Sequence, residues 1–509
     1  MWETSWHIIT FLLTLFLSAG AILHILSQMR GEPERALFWC VIVLFLPGPG
    51  VLFYLLAGVT RYDTLGKRVL LRNREFFEKK GAAKKLEEFS SKLAAFVVSG
   101  ADSTAGKTLE SALAAGERFG KKKKRKIFER PLPERFSGNE IHFFHDGREC
   151  YSAMLEAIAG AKHSIHLQSF IFAHDPIGRL IMRELKERAS AGVKVVVICD
   201  HFGSFGAFFS NFFLKYIKNT PNLRVIPFSK GSLFAPWRIQ LRNHRKLLIA
   251  DGKIAFVGGL NICEGNYRRK QEKESRIRDF HCQLRGPAVS SLQYSFLCDY
   301  FYAAGKKLRQ KEDFFDPAYF PIPEKCGNEI LRVIPSGHGF YFEASEKVFF
   351  TACATAEKSI IIITPYFVPG RAFLSALQMA SCRGVKVTLI LPRIIDHILL
   401  RYAAGSFYEE LLMAGVRIYE RQHVFLHAKA MLVDSSWCYF GSSNCDSRSF
   451  HLNYELDILV EKGKFTADLE EQLKKEIEAS EEILLEDWQK RSSFRKLLEN
   501  ASSLAAPLL

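Results

Sequence analysis

The chain has 509 residues, with 70 Lys and Arg against 54 Asp and Glu, a formal net charge of +16 and an apolar fraction of 48 % that includes 43 phenylalanines. That length exceeds one ordinary domain, and the positive balance suits an anionic partner, either nucleic acid or an anionic bilayer surface. The eleven cysteines contain no C-x-x-C pair, which argues against a zinc site or a disulfide framework and for reduced thiols in a cytosol-facing enzyme.

Residues 6–26 form an uncharged apolar run long enough to cross a bilayer. The run lacks a basic start, and a second apolar run follows at 36–57, so no cleaved signal peptide is expected. The second run carries Pro47-Gly48-Pro49-Gly50 at its middle, a break that a membrane helix tolerates when neighbours re-satisfy its backbone. Residues 1–58 therefore read as a two-helix transmembrane hairpin. In the connecting loop Arg30 and Arg35 are balanced by Glu32 and Glu34, whereas Arg61, Lys67, Arg68, Arg72, Arg74, Lys79 and Lys80 follow the second run. This asymmetry predicts that Met1 and everything after residue 58 face the cytoplasm.

Residues 59–135 read as a basic juxtamembrane linker. Within it Leu86, Phe89, Leu93, Phe96 and Val97 have helical spacing that suits a membrane surface. The run at 121–126 (KKKKRK) suits anionic headgroups. A plain solvated linker accounts for both features equally well.

From Ser137 the pattern becomes α/β. Strand, helix, strand, helix and strand are predicted over 141–144, 147–161, 163–172, 177–191 and 193–199, and the same order returns over 330–335, 342–356, 358–368, 371–382 and 385–391. Ala161-Lys162-His163-Ser164-Ile165 is answered by Ala356-Glu357-Lys358-Ser359-Ile360, and Gly192-Val193-Lys194-Val195 by Gly384-Val385-Lys386-Val387. This internal duplication predicts two similar α/β lobes, over 136–325 and 326–509, related by a pseudo-twofold. Phe465, Leu469, Leu473 and Ile477 recur every four residues and predict an amphipathic helix closing the second lobe.

Each lobe carries one copy of a motif. The first runs His244-Arg245-Lys246, four residues, Asp251, then Gly258-Gly259-Leu260-Asn261; the second runs His427-Ala428-Lys429, four residues, Asp434, then Gly441-Ser442-Ser443-Asn444. One such motif carries little weight, but two copies with the same downstream Gly and Asn are not accidental. Apolar runs after Lys and before Gly predict two short buried strands joined by a polar turn, on which His and Lys point to one side. Two halves facing each other offer two imidazoles, two ammonium groups (Lys246, Lys429) and two amides (Asn261, Asn444) to one tetrahedral phosphate. That set suits phosphoryl transfer through a histidine, one His attacking phosphorus and the other protonating the leaving alkoxide, with Lys and Asn stabilising the non-bridging oxygens. The chemistry requires neither metal nor cofactor. Asp251 and Asp434 complete the motif set and read as holding the turn after each strand.

These residues resemble the phospholipase D superfamily. The flanks, among them Arg278-Asp279, Gly286-Pro287, Thr364-Pro365-Tyr366-Phe367-Val368-Pro369 and Cys445-Asp446-Ser447-Arg448-Ser449, are similar to bacterial cardiolipin synthases of the two-motif, membrane-anchored type. The resemblance implies one active site at the seam of two phospholipase D-type lobes. It implies that an acidic residue downstream of each motif orients the other half's histidine, Asp279 for His427 and Glu455 for His244. It also implies that His244 is the nucleophile, which sequence symmetry alone does not decide. The implied reaction makes cardiolipin and glycerol from two phosphatidylglycerol molecules, in a bacterial inner membrane, with no nucleic-acid partner. A phospholipid hydrolase or another phosphatidyltransferase uses the same chemistry; a nucleic-acid phosphodiesterase fits the charge and the motif but not the apolar runs. Two positions depart from the synthase pattern, Gln168 in place of Glu and Gly370 in place of an acidic residue, and Gly259 stands where the superfamily more often has Ser, although synthases commonly share the double Gly.

Overall fold

The computed structural model of the chain describes residues 2–29, 33–58, 91–98, 104–115, 134–229, 241–267, 277–314, 316–337 and 343–504. The basic cluster from Arg61 to Lys80, Leu86, Phe89 and the run at 121–126 lie outside them.

The first apolar run is one helix, Trp2–Gln28, and its Ser5–Ser27 portion is long and apolar enough to cross a membrane. The second run forms a shorter helix, Pro33–Phe45. Gly48, at φ +87°, then starts a short helix at Pro49–Phe53 and a single wide turn at Tyr54–Gly58. The rings of Trp39 and Tyr54 lie 5.6 Å apart. On a continuous helix those residues would be separated by about 22 Å, so the chain folds back at the Pro-Gly break. Ala21 and Ile25 of the first helix, with Met29 just after it, pack with Ala36, Trp39 and Val43 of the second.

The first lobe contains strands β1 (Phe136–Phe144), β2 (Ser164–Ser169), β3 (Lys194–Asp200), β4 (Leu223–Phe228), β5 (Leu247–Ala250), β6 (Ile254–Gly258), β7 (Ile277–Arg278) and β8 (His281–Arg285). The second contains β9 (Glu329–Ser336), β10 (Ser359–Ile363), β11 (Phe367–Val368), β12 (Lys386–Pro392), β13 (Arg417–Arg421), β14 (Phe425–Leu426), β15 (Ala430–Val433), β16 (Trp437–Gly441), β17 (Cys445–Asp446), β18 (Glu455–Glu461) and β19 (Ser480–Ile483). A single sheet of 15 strands runs β19-β13-β12-β10-β15-β16-β18-β9-β1-β8-β6-β5-β2-β3-β4. Outward from the β9–β1 seam, β18-β16-β15-β10-β12-β13 matches β8-β6-β5-β2-β3-β4, which is the predicted duplication made visible.

Each lobe has its own outer core, where helices Gly147–Gly160 and Pro176–Ser190 cover the first half and Ala344–Thr355 and Arg371–Cys382 the second. A central core draws on both lobes, with Ile198, Leu247 and Val257 beside Leu432, Phe440 and Ile458. Helices Val289–Ala303 and Lys464–Glu478 occupy equivalent places in it. The second of these is the helix expected to close the second lobe. Its Phe465 ring also meets Phe143 of β1 at 5.8 Å, so it closes the seam.

Two expectations change. The strand predicted over 358–368 breaks after Ile363, because Thr364 Oγ1 donates back to the Tyr366 carbonyl and Pro365 has no N–H for a ladder. Its last part, β11, pairs instead with β17. Leu93 and Phe96, read as one face of a membrane-surface helix, pack into the central core. Their short stretch ties to β1 through a bond from Val98 N–H to Arg135 O of 2.9 Å.

Candidate active site

The motif turns are built alike. Asp251 and Gly252 both have positive φ, as do Asp434 and Ser435, and each pair opens the three-residue connection between its two strands. Asp251 accepts the N–H groups of Lys162, His163 and Ser164, and Asp434 those of Glu357, Lys358 and Ser359, at 2.7–3.0 Å. Both carboxylates thus fasten the turn to the start of β2 or β10, and neither touches an imidazole. The histidines and lysines precede β5 and β15 rather than lying in them. Their backbone is engaged across the seam: His244 N–H donates to Tyr454 O at 2.9 Å and His427 N–H to Arg278 O at 2.7 Å, and β14 pairs with β7.

Tyr454 and Arg278 each stand one residue before the carboxylate assigned to the opposite histidine. Glu455 Oε2 lies 2.9 Å from His244 Nδ1, and Asp279 Oδ2 lies 2.5 Å from His427 Nδ1. The Ser442 carbonyl is 3.1 Å from the same His244 nitrogen. Two acceptors around Nδ1 fix its hydrogen there and leave Nε2 as the nitrogen free for chemistry. All four side chains are buried. Lys246 Nζ donates to the His244 carbonyl at 2.7 Å, and Lys429 Nζ lies 2.8 Å from His427 Nδ1 and also donates to the His427 carbonyl. Asn261 Oδ1 accepts Ile171 N–H at 3.1 Å, which leaves its amide hydrogens available, and Asn444 is buried beside the second motif. The crossed His–carboxylate pairs and the mutual repulsion of Lys246 and Lys429 bring the His and Lys residues of both halves to one place at the seam.

Burial pushes His244 down to about 4, against the opposing pull of Glu455. His427 is lowered by burial and by the neighbouring Lys429 charge. Burial works to raise both carboxyls, but Lys429 and His427 hold Asp279 below the ordinary value, and His244 and Lys246 do the same for Glu455. At neutral pH both pairs are thus a neutral imidazole on an ionised carboxylate. Lys246 falls to about 7 through burial and repulsion by Lys429, and Lys429 to about 8 through burial.

Three features of the site were not readable as functional. Arg245, at the variable position inside the first motif, spans the seam: Nε donates to Glu455 O, an Nη to Ser336 O, and the other Nη to Ser295 and to buried Asp299. Gln168 Nε2 donates to the same Asp299 at 2.6 Å, so the amide, unlike a Glu, can share that carboxylate with Arg245. Gly259 faces Asp279 so closely that a Cβ there would sit 2.0 Å from Oδ1. Its counterpart Ser442 instead donates to Glu455 Oε2 at 2.6 Å. Phe170 packs its edge on the His244 ring at 5.1 Å, and Tyr366 stands 6.3 Å from His427. Among the described residues, Glu343, Glu346 and His451 bring three metal-type ligands within 4.8 Å; none of them belongs to the His-Lys-Asn sets.

The sequence profile described as "Cardiolipin synthase, PLD-like domain" matches residues 154–283 and 350–477, one segment per lobe. The chain belongs to the cardiolipin synthase family. A profile described as phospholipase D-nuclease N-terminal matches 16–58. Cardiolipin synthase of Halalkalibacterium halodurans is 31 % identical over 486 residues, covering 94 % of this chain and 90 % of that protein. Cardiolipin synthase of Alkalihalophilus pseudofirmus is 31 % identical over 508 residues, covering 99 % and 95 %. Among solved structures, phosphatidylserine synthase of Haemophilus influenzae shares the fold, with a TM-score of 0.56 at 15 % identity over 72 % of this chain and 95 % of that one. The second of these alignments, over 99 % of the chain, takes in both lobes and the N-terminal helices.

Proposed function

We propose that the chain is a membrane-bound phosphatidyltransferase that makes cardiolipin and glycerol from two molecules of phosphatidylglycerol. The observation that carries this reading is the crossed pairing of His244 with Glu455 and His427 with Asp279 in one buried site, in a chain of the cardiolipin synthase family. As the phosphodiester anion binds beside the two lysines it raises His427, which takes up a proton from solvent; His244 Nε2 then attacks phosphorus, the P–O bond to the glycerol headgroup breaks, and His427 delivers that proton to the departing oxygen. The primary hydroxyl of a second phosphatidylglycerol then gives its proton to His427 and attacks the phosphatidyl-histidine, restoring His244. Glu455 and Asp279 steady each imidazole as charge grows on it. Lys246, Lys429, Asn261 and Asn444 hold the non-bridging oxygens.

We assign residues 1–58 to a membrane hairpin, 59–135 to a basic linker, and 136–325 and 326–509 to the two lobes. The basic excess after residue 58 supports lobes on the cytoplasmic side of a bacterial inner membrane. The test is purified full-length protein with phosphatidylglycerol vesicles, followed by lipid mass spectrometry and a glycerol assay. The reading expects cardiolipin and glycerol in equal amounts. Phosphatidic acid as sole product would replace the transferase with a hydrolase, and absence of both products would remove the phosphatidyl-transfer reading.

A further inference from the structure

The buried imidazoles pose a geometric problem. His244 and His427 are 6 % and 8 % exposed, while the phosphodiester of a bilayer lipid sits at headgroup depth with its acyl chains anchored below. Either the lipid rises out of the membrane or the rim of the site sinks into it. The surface around the site favours the second.

Strands β3 and β12 occupy equivalent places in the two lobes, and the segment leaving the carboxyl end of each carries exposed apolar side chains. After β3 these are Phe205, Phe209 and Leu214, at 55 %, 78 % and 57 % exposed; after β12 they are Ile394, Ile398 and Leu399. The Phe205 and Phe209 rings stack at 5.6 Å and form one outward face. Both segments are tied to the site itself. In the first, Asp200 accepts Asn243 N–H at 2.8 Å, Ser204 Oγ donates to the carbonyl of Phe170, whose ring covers His244, and Phe202 lies under the Arg242 guanidinium at 4.2 Å. In the second, Asp396 accepts the hydroxyl of Tyr366, the ring beside His427, at 2.8 Å. Residues 201–219 also contain Lys215 and Lys218, both exposed, and no Asp or Glu. An apolar face rimmed by lysines at a site for lipid phosphodiesters matches an anionic bilayer surface in both shape and charge.

We propose that these two apolar rims, one from each lobe, insert into the bilayer surface and set the mouth of the site at headgroup level, so that both phosphatidylglycerol molecules enter sideways from the membrane. The proposal rests on the lipid-acting reading of the site. It makes the two lobes, and not only the N-terminal helices, membrane-contacting parts of the chain.

The test uses the unaltered full-length protein in vesicles of phosphatidylglycerol and phosphatidylethanolamine, with a trace of phospholipid bearing a diazirine near the top of its acyl chain. After illumination, peptides covering 201–217 and 394–401 should carry the label, with the helix at Ser5–Ser27 as internal control. In parallel, the double variant Phe205→Ser/Phe209→Ser, checked for an unchanged melting temperature, should turn over bilayer phosphatidylglycerol on the order of tenfold more slowly. It should act on a water-soluble short-chain phosphodiester at the unaltered rate. Label on the N-terminal helix but on neither rim would overturn the proposal. So would an equal loss on both substrates. Rim labelling in a protein that turns over no lipid would uphold the docking surface while removing the proposed reaction.

Discussion

Glu455 of the second lobe, and no carboxylate of the first, holds His244, at 2.9 Å, while Asp279 of the first lobe returns the contact to His427. Each half therefore contains an imidazole without its own partner, and the backbone enforces the exchange. The carbonyl one residue before each carboxylate accepts the N–H of the histidine that carboxylate serves.

The first prediction concerns Glu455→Gln. The amide keeps the shape and removes the charge that raises His244 and steadies it as an imidazolium. Turnover should fall about a hundredfold or more. The attacking imidazole must be neutral, so kcat/KM of the unaltered protein should rise with pH through about 4. In Glu455→Gln that acidic limb should move lower, because the charge opposing burial is gone. Lys246 and Lys429 act as cations and lose their protons at about 7 and about 8, so kcat/KM should fall again as pH passes through 7 to 8. A soluble p-nitrophenyl phosphodiester, whose charge is constant over this window and whose leaving group does not call on the lowered His427 for a proton, is the substrate to use. An acidic limb that moves up in the variant would contradict the assigned role of Glu455.

The division of labour between the histidines can be read from leaving-group dependence. With His244 as nucleophile, His427→Ala should retain burst release from a p-nitrophenyl phosphodiester, whose leaving group needs little protonation, and lose turnover of phosphatidylglycerol. His244→Ala should show no burst. Phosphohistidine trapped under non-acidic quenching should map to the peptide containing residue 244; finding it at residue 427 would exchange the two roles.

Gly259→Ser should inactivate through its neighbour. The added Cβ and hydroxyl need the space of the Asp279 carboxylate, so Asp279 must leave His427. We expect turnover to drop about a hundredfold with little change in melting temperature. The pair Gly259→Ser/Asp279→Glu, which copies Ser442 and Glu455, should recover part of that loss. A single variant as active as the parent would show that the carboxylate has room that the backbone geometry denies it.

Asp251→Ala should behave in the opposite way. Three backbone N–H groups lose an ionic acceptor at a turn of positive φ, at an expected stability loss of about 2–3 kcal/mol. Turnover per folded molecule should stay within about threefold of the parent. Thermal unfolding and active-site titration separate these quantities, and a large loss of turnover at full stability would move Asp251 into the chemistry.

The doubled motif was legible because its spacing is the spacing of a hairpin: four residues of strand, a turn, and a returning strand that ends at Gly. The repeated succession of strands and helices along the chain followed from the paired fragments around Ser164 and Ser359, whereas the order of strands across the sheet was not read. The crossing of carboxylates was not legible from residue types, since Asp279 and Glu455 differ in length and follow their motifs at different distances; the family resemblance supplied it. Arg245 was invisible for another reason. Its counterpart is Ala428, so no repeat marks it, and its partners Asp299 and Ser336 become neighbours only when the seam closes. The placement of Leu93 and Phe96 misled because an amphipathic spacing reports that one face is covered, not whether lipid or protein covers it.

The close fit of Gly259 to Asp279, and the bond from Ser442 to Glu455, place each matched pair inside a single lobe. Across the seam, each imidazole meets a carboxylate oxygen, and His244 also the backbone carbonyl of Ser442, which every residue type supplies; neither contact depends on how far the carboxylate had to reach. Drift at this site is therefore constrained within lobes and free between them. A lineage that lengthens one acid must change the small residue beside it in the same half, while the other half, carrying the histidine, needs no answering mutation. Two copies that began identical could become unlike in this way without passing through an inactive ancestor.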